Sequence, residues 1–183
     1  VRNAKKVIFL KMSLIFLGLG SNLGEKEKNL QDAVMMLKME IGSLLSQSSF
    51  YISKPFGFSS ENDFLNAVVL METHLSPCEL LDKTREIEQA MGRTSKSCGQ
   101  QYADRIIDID ILLYDHLVID QPTLKIPHPA IAERDFVFIP LLEIAPDLVD
   151  PLSGKKFSEL VEAKKITSEL KNFVVGKKEE KFR

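Results

Sequence analysis

The chain has 183 residues, 44% hydrophobic and 27% charged, with a formal net charge of -2. That length accommodates one domain with a full core, and the composition is that of a globular protein rather than a fibrous or disordered one. The slightly acidic balance lacks the clustered basic charge of nucleic-acid binders, and two cysteines, Cys78 and Cys98, are too few for a disulfide framework or a metal knuckle.

Residues 1–11 are basic with an apolar patch at 7–10, but Lys11 interrupts the patch and no small-residue cleavage site follows. They are expected to form a disordered extension ahead of Met12. No apolar stretch reaches the ~20 residues needed to cross a bilayer. Free thiols fit a reducing compartment, so the expectation is a cytoplasmic protein without membrane contact.

Residues 14–20 form an apolar run ending in Gly20-Ser21-Asn22, which predicts a buried strand and a turn. Over 25–41, Leu30, Ala33, Val34, Leu37 and Ile41 recur at helical spacing, and Gly42 stops the helix. Residues 44–52 read as extended and 53–62 as a loop with Pro55 and Gly57, while 64–73 is rich in β-formers. Ser76-Pro77-Cys78-Glu79 is a helix start, with a capping serine, proline at the first helical position and glutamate at the third. The helix places Leu80, Thr84, Ile87 and Met91 on one face and stops at Gly92. Residues 94–101 are polar and irregular, and 105–114 is predicted as a strand. Pro122, Pro127 and Pro129 punctuate the next connection, and 136–144 is a final apolar segment.

The order βα, ββ, αβ predicts an α+β protein, a ferredoxin-like two-layer sandwich of two helices on an antiparallel sheet. The expected division is the 1–11 extension, one domain over 12–162 and a charged tail over 163–183.

The most informative stretch is Arg105-Ile106-Ile107-Asp108-Ile109-Asp110, read as the metal and phosphate site of an enzyme using Mg-ATP. Strand alternation turns Ile107, Ile109, Ile111 and Leu113 toward a core and Asp108 and Asp110 to the other face, roughly 6–7 Å apart. Paired carboxylates suit Mg²⁺, which takes one or two such ligands plus phosphate oxygens and water. Two ions ~3.5–4 Å apart suit a clamp on attacking and leaving oxygens. A solvated strand face gives the same pattern.

Arg93 after Gly92 is a candidate phosphate cation, although arginine at a helix end is favoured by the dipole in any case. Glu88 reads as a surface residue on the polar side of its helix. Phe64 and Asn66 share a strand face and suit a flat heterocycle, or else are a core phenylalanine and a strand-end asparagine. His128, between Pro127 and Pro129, is expected in a rigid exposed loop as a phosphate donor or metal ligand. A non-catalytic binding module would not need the acidic pair together with Arg93, Arg105 and His128. An RNA-binding sheet would need exposed aromatics where Asp108 and Asp110 stand.

Together these pieces resemble the 6-hydroxymethyl-7,8-dihydropterin pyrophosphokinases of folate biosynthesis over about 12–161. The resemblance rests on Gly20-Ser21-Asn22-Leu23-Gly24, Pro55-Phe56-Gly57, Phe64-Leu65-Asn66-Ala67, Glu88, Gly92-Arg93 and the acidic motif. Ile126-Pro127-His128-Pro129, Arg134-Asp135-Phe136-Val137 and Pro140-Leu141 complete it. It implies transfer of pyrophosphate from the co-substrate ATP to the pterin hydroxymethyl group, leaving AMP. It further implies two Mg²⁺ ions on Asp108 and Asp110, with Phe64 and Phe136 sandwiching the pterin. Asn66 and the backbone of Ser53, Pro55, Phe56 and Gly57 would read its polar edge. Glu88 and the Ile111 backbone would meet the nucleotide, and Arg93, Arg105, His128 and Arg134 the triphosphate. Arg93 and Arg105 join the two aspartates as catalytic candidates in a protein expected to be a monomer. Ser95 stands where the family often has a second arginine, and Tyr102-Ala103-Asp104-Arg105 where many members have Trp-Gly-Pro-Arg. These departures bear on a lid expected to close over ATP.

Overall fold

The computed structural model describes residues 11–93, 103–163 and 171–173. Strand β1 (Ser13–Ser21) carries Ile15, Leu17 and Leu19 on one face and Phe16, Gly18 and Gly20 on the other. Helix α1 (Lys26–Glu40) lays Leu30, Ala33, Val34 and Leu37 against the first of these faces. The next strand, β2 (Gly42–Gln47), begins where a side chain at Gly42 would put its Cβ 2.0 Å from the Glu72 carbonyl oxygen. Strands β3 (Phe50–Ser53) and β4 (Phe64–Thr73) follow. Helix α2 (Pro77–Ala90) opens on the expected capping box between Ser76 and Glu79, and it buries Leu80, Thr84 and Ile87.

Strand β5 (Asp108–Tyr114) pairs with β1, and a small hairpin of β6 (Ile119–Gln121) and β7 (Leu124–Ile126) lies beyond it. Helices α3 (Asp135–Ile144) and α4 (Phe157–Ala163) come next, then β8 (Lys171–Phe173) on the edge of β3. The sheet is antiparallel in the order β5-β1-β4-β3-β8, with β2 also joining β4. One core lies between the sheet and α1 and α2. A second gathers Phe16, Val68, Leu112 and Leu113 under Val137 and Leu141 of α3 and Phe157 of α4. Helices thus cover both faces, where a single helical layer was expected.

Several local expectations change. The strand predicted from Arg105 starts at Asp108, because Asn22 takes up the Arg105 backbone outside the ladder. The Asn22 N–H donates to the Arg105 carbonyl at 3.1 Å, and the Arg105 N–H donates to Asn22 Oδ1 at 2.7 Å. Alternation holds for Ile107, Ile109 and Ile111, which reach the α1/α2 core. It fails at Leu113, because β1 steps from Leu17 to Phe16 while β5 steps from Ile111 to Leu113. The extra residue, Leu112, makes a bulge, and Leu113 enters the α3 core instead.

The extended run over 44–52 is broken into two strands, with Ser48 bonded to both backbone groups of Val68. The proline-marked connection contains the β6–β7 hairpin, and the apolar segment over 136–144 is α3, with Pro140 inside it. Lys171–Phe173 of the expected tail run as a strand. The irregular stretch 94–101 and the extension before Lys11 lie outside the described residues.

Candidate active site

Antiparallel partners share a face of the sheet, so the pairings Gly20↔Asp108 and Gly18↔Asp110 put both carboxylates beside bare backbone. Gly20 also pairs with Asn66 on its other side, setting Asn66, Gly20 and Asp108 in one row across β4, β1 and β5. Two strand spacings separate the ends of that row, about 9–10 Å. Because Gly18 and Gly20 have no side chains, the sheet itself is the floor of a cavity of about 450 Å³.

Most of the expected site residues line this cavity. They are Ser53, Phe56, Phe64, Asn66, Arg93, Arg105, Asp108, Asp110, His128, Arg134 and Phe136. Pro55 and Gly57 belong to the adjoining loop but are not among the lining residues. Ile111 sends its side chain into the α1/α2 core.

Glu88 is corrected most clearly: it is 9% exposed rather than a surface residue. Its carboxylate accepts from the Ile109 N–H at 2.8 Å and from Arg93, so α2 turns this side chain toward β5. Burial raises its pKa despite the Arg93 charge. Arg93 also donates to Asp108 Oδ1 at 2.6 Å, and the Arg105 guanidinium lies 3.2 Å from Asp108 Oδ2. Two guanidinium groups therefore converge on one carboxylate. Asp110 is treated differently. Burial first, and the Asp108 charge second, push its pKa up to about 7. A divalent cation fits this donor set: hard oxygens, two adjacent carboxylates, and in Asp110 one whose charge is poorly compensated.

His128 is half-buried, not exposed, held against β5 through its backbone. Its N–H donates to the Leu112 carbonyl at 2.9 Å, and its Nδ1 accepts from the Ala130 N–H at 3.2 Å. Burial and Arg134 lower its pKa. The ring is thus neutral at neutral pH, with its proton on Nε2, which makes it a donor rather than a base.

On the other side, the Asn66 amide donates to the Tyr51 carbonyl at 3.1 Å and to Ser53 Oγ at 3.0 Å. These two bonds fix the carboxamide plane. The Arg105 guanidinium lies 5.4 Å from the Phe64 ring centroid. Phe136 and Phe56 are 6.3 Å apart, and Arg134 lies over both. Sequence reasoning missed Phe58, edge-on to Phe64, as well as Lys54, Leu112 and Glu133 in the lining. It also gave no role to Gly18 and Gly20, whose spacing of two on a strand was the available signal.

Residues 16–146 match the family of 7,8-dihydro-6-hydroxymethylpterin-pyrophosphokinase. A Porphyromonas gingivalis protein named 2-amino-4-hydroxy-6-hydroxymethyldihydropteridine pyrophosphokinase is 46% identical over 136 residues, 74% of this chain and 92% of its own length. The Aquifex aeolicus protein of the same name is 40% identical over 148 residues, 81% of this chain and 90% of its own length. Among solved structures, a Plasmodium falciparum HPPK-DHPS aligns with TM-score 0.67 at 15% identity, over 84% of this chain. The chain spans 44% of that longer protein, and the likeness is one of fold. No helix among the described residues is long and apolar enough to cross a membrane. The chain belongs to the 7,8-dihydro-6-hydroxymethylpterin-pyrophosphokinase family.

Proposed function

We propose that the chain transfers a pyrophosphoryl group from ATP to the hydroxymethyl group of 6-hydroxymethyl-7,8-dihydropterin, releasing AMP, as a step of folate biosynthesis. The observation that carries this is the row Asn66, Gly20, Asp108, which sets a heterocycle-reading carboxamide and an acidic pair on opposite sides of a bare backbone. A flat bicyclic ring laid against Gly20 between Phe64 and Phe136 meets Asn66 at its polar edge. Its substituent then extends toward Asp108. Ser53, Pro55, Phe56 and Gly57 border the polar edge of the ring.

Asp108 and Asp110 would hold Mg²⁺, two ions in this reading, and bound Mg²⁺ would neutralise phosphate charge at the reacting oxygens. Arg93 and Arg105 supply cations on the same side, Arg134 supplies one between the Phe56 and Phe136 rings and Asp110, and His128 offers its Nε2–H to a phosphate oxygen. Glu88 acts through Arg93, and the β5 backbone at Ile111 is the edge offered to adenine. The hydroxyl oxygen attacks the β-phosphorus, the bond to the AMP oxygen breaks, and the hydroxyl proton leaves to solvent. Such a displacement needs positioning and charge neutralisation more than a protein base.

The strand order, with α1 and α2 on one face, supports a ferredoxin-like core within the larger sheet. We further infer a single domain over 12–162, to whose sheet Lys171–Phe173 of the charged tail adds an edge strand, acting as a cytoplasmic monomer. The deciding experiment incubates the protein with Mg-ATP with and without the pterin and identifies the nucleotide product. Pterin-dependent AMP is expected; ADP, or turnover indifferent to the pterin, would overturn the reading.

A further inference from the structure

Asp104 lies outside every role assigned above, yet it connects the two sides of the cavity. One carboxylate oxygen accepts from Asn22 Nδ2 at 2.6 Å and the other from Asn62 Nδ2 at 2.7 Å. Hydrogen bonding from the Ser60 hydroxyl, then from the two amides, holds the Asp104 carboxyl below its ordinary range. Asn22 is 2% exposed; its Nδ2 also donates to the Asn62 carbonyl at 3.5 Å, and it engages the Arg105 backbone at 2.7 Å to Oδ1 and 3.1 Å from its own N–H.

The loop 54–63 that carries Phe56 and Phe58 is pinned at its base. Lys54 Nζ bonds both oxygens of Asp63 at 2.8 and 3.0 Å, and Lys26 Nζ reaches the Asp63 carbonyl at 2.9 Å. Beyond that base, Asn62 ties it to Asp104, and the Asn62 N–H donates to Ser60 Oγ at 3.1 Å. On the other side of the clasp, Arg105 spans from the Phe64 ring to Asp108. A shift of the 104–105 backbone therefore moves a phosphate-side cation and the loop bordering the ring together.

We propose that Asp104 is a positioning residue, whose bonds to Asn22 and Asn62 lock the loop 54–63 to the Arg105 backbone and fix the spacing between the ring side and the phosphate side of the cavity. The role rests on the pyrophosphoryl-transfer reading above. Two side-chain amides from distant parts of the chain converge on one carboxylate here, one on each oxygen.

The geometry permits an exchange test. Asn22→Asp alone sets two carboxylates together. Asp104→Ala alone removes both acceptors, whereas Asp104→Asn alone still accepts from Asn22 and donates to the exposed Asn62 amide, so it serves only as the partner of Asn22→Asp. In that pair, the carboxamide at 104 donates to the carboxylate at 22 and accepts from Asn62, while the carboxylate at 22 still accepts from the Arg105 N–H. Asn22→Asp and Asp104→Ala are each expected to raise the pterin KM by about tenfold with the ATP KM within about twofold, and the exchanged pair to recover to within about threefold of wild type. Amide hydrogen exchange at Asn22 and Arg105, whose N–H groups are bonded within the clasp, reads it without turnover, and should accelerate in each single variant and slow again in the pair. Unchanged exchange and KM in the single variants, or a pair as impaired as the worse single, would overturn the proposal. A wild type that forms no AMP, with the exchange pattern intact, would instead count against the reaction assigned above.

Discussion

Arg93 donates to Asp108 at 2.6 Å from the end of α2, while the same guanidinium is bonded to the buried Glu88. One cation thus compensates a buried carboxylate behind the cavity and a half-buried one inside it. Arg93→Ala leaves Glu88 without its charge partner, which costs about 3 kcal/mol of stability when a buried pair is broken. AMP formation should fall by roughly 10²-fold or more as the transition-state charge loses a neutralising group. Arg93→Lys should recover part of the stability and little of the rate, because one terminal nitrogen, Nη1, meets both carboxylates, and the shorter lysine carries its charge to a different place. Thermal unfolding and single-turnover rates separate the two effects; equal recovery of both would contradict this division.

Asp110 makes metal-free stability depend on pH. Its folded pKa, about 7, lies above the ordinary 3.8. The associated stability is therefore fully present below about pH 4 and is lost as pH rises through 7. Asp110→Asn should raise the metal-free melting temperature at pH 8, by roughly 2–4 °C for each kcal/mol, and change it little near pH 4. Mg²⁺ should stabilise wild type at pH 8 more than the variant. Scanning calorimetry at the two pH values, with and without Mg²⁺, checks the sign.

Asp108→Ala and Asp110→Ala should each remove nearly all AMP production, on the order of 10³-fold or more, while circular dichroism stays that of the folded chain. Wild-type turnover in either would sink the assignment of metal to this pair.

A methyl group on Gly20 would lie 3.3 Å from Asn66 Oδ1 and 3.6 Å from the Phe64 ring. The Asn66 amide oxygen would have to give by a few tenths of an ångström, while the contact to the ring is an ordinary one, and both belong to the ring side of the cavity. Gly20→Ala should weaken pterin binding by about tenfold with little change in ATP affinity, as a small displacement of a reading group costs most of a hydrogen bond. Equilibrium titration with each substrate distinguishes this from general destabilisation.

Gly42→Ala places a Cβ where the Glu72 carbonyl already stands. The β2–β4 pairing must spread, at a cost of roughly 1–3 kcal/mol or more. AMP formation per folded molecule should stay near wild type, because Gly42 lies at the far end of β4, beside Thr73 rather than Asn66. Denaturant midpoints and active-site-normalised rates give the two readings.

Strand β4, the α1 core face and the Ser76–Glu79 cap were legible because each depends on neighbours in sequence: alternation, helical spacing, or a side chain bonding its own backbone turn. Glu88 was illegible for the opposite reason. Its place on a polar helix face is overridden by an arginine five residues later and a strand N–H twenty-one residues away. His128 likewise owes its half-buried state to the Leu112 carbonyl. Leu113 went astray because a bulge is a property of two strands, and period-two counting along one strand contains no information on its partner's step. The acidic pair was found because both aspartates precede that bulge. The Asp104 clasp joins residues 22, 62 and 104, and local patterning offers no sign of it.

The extra residue at Leu112 has an effect on the cavity as well as on the register. The strand face that carries Asp108 and Asp110 passes directly to two successive leucines, both turned toward α3. The acidic floor thus ends at a dry hydrocarbon wall instead of shading into solvent. That apolar neighbour belongs to the burial that pushes the Asp110 pKa up to about 7. Shortening it, as in Leu112→Ala, should wet the carboxylate and bring its pKa back toward the ordinary value.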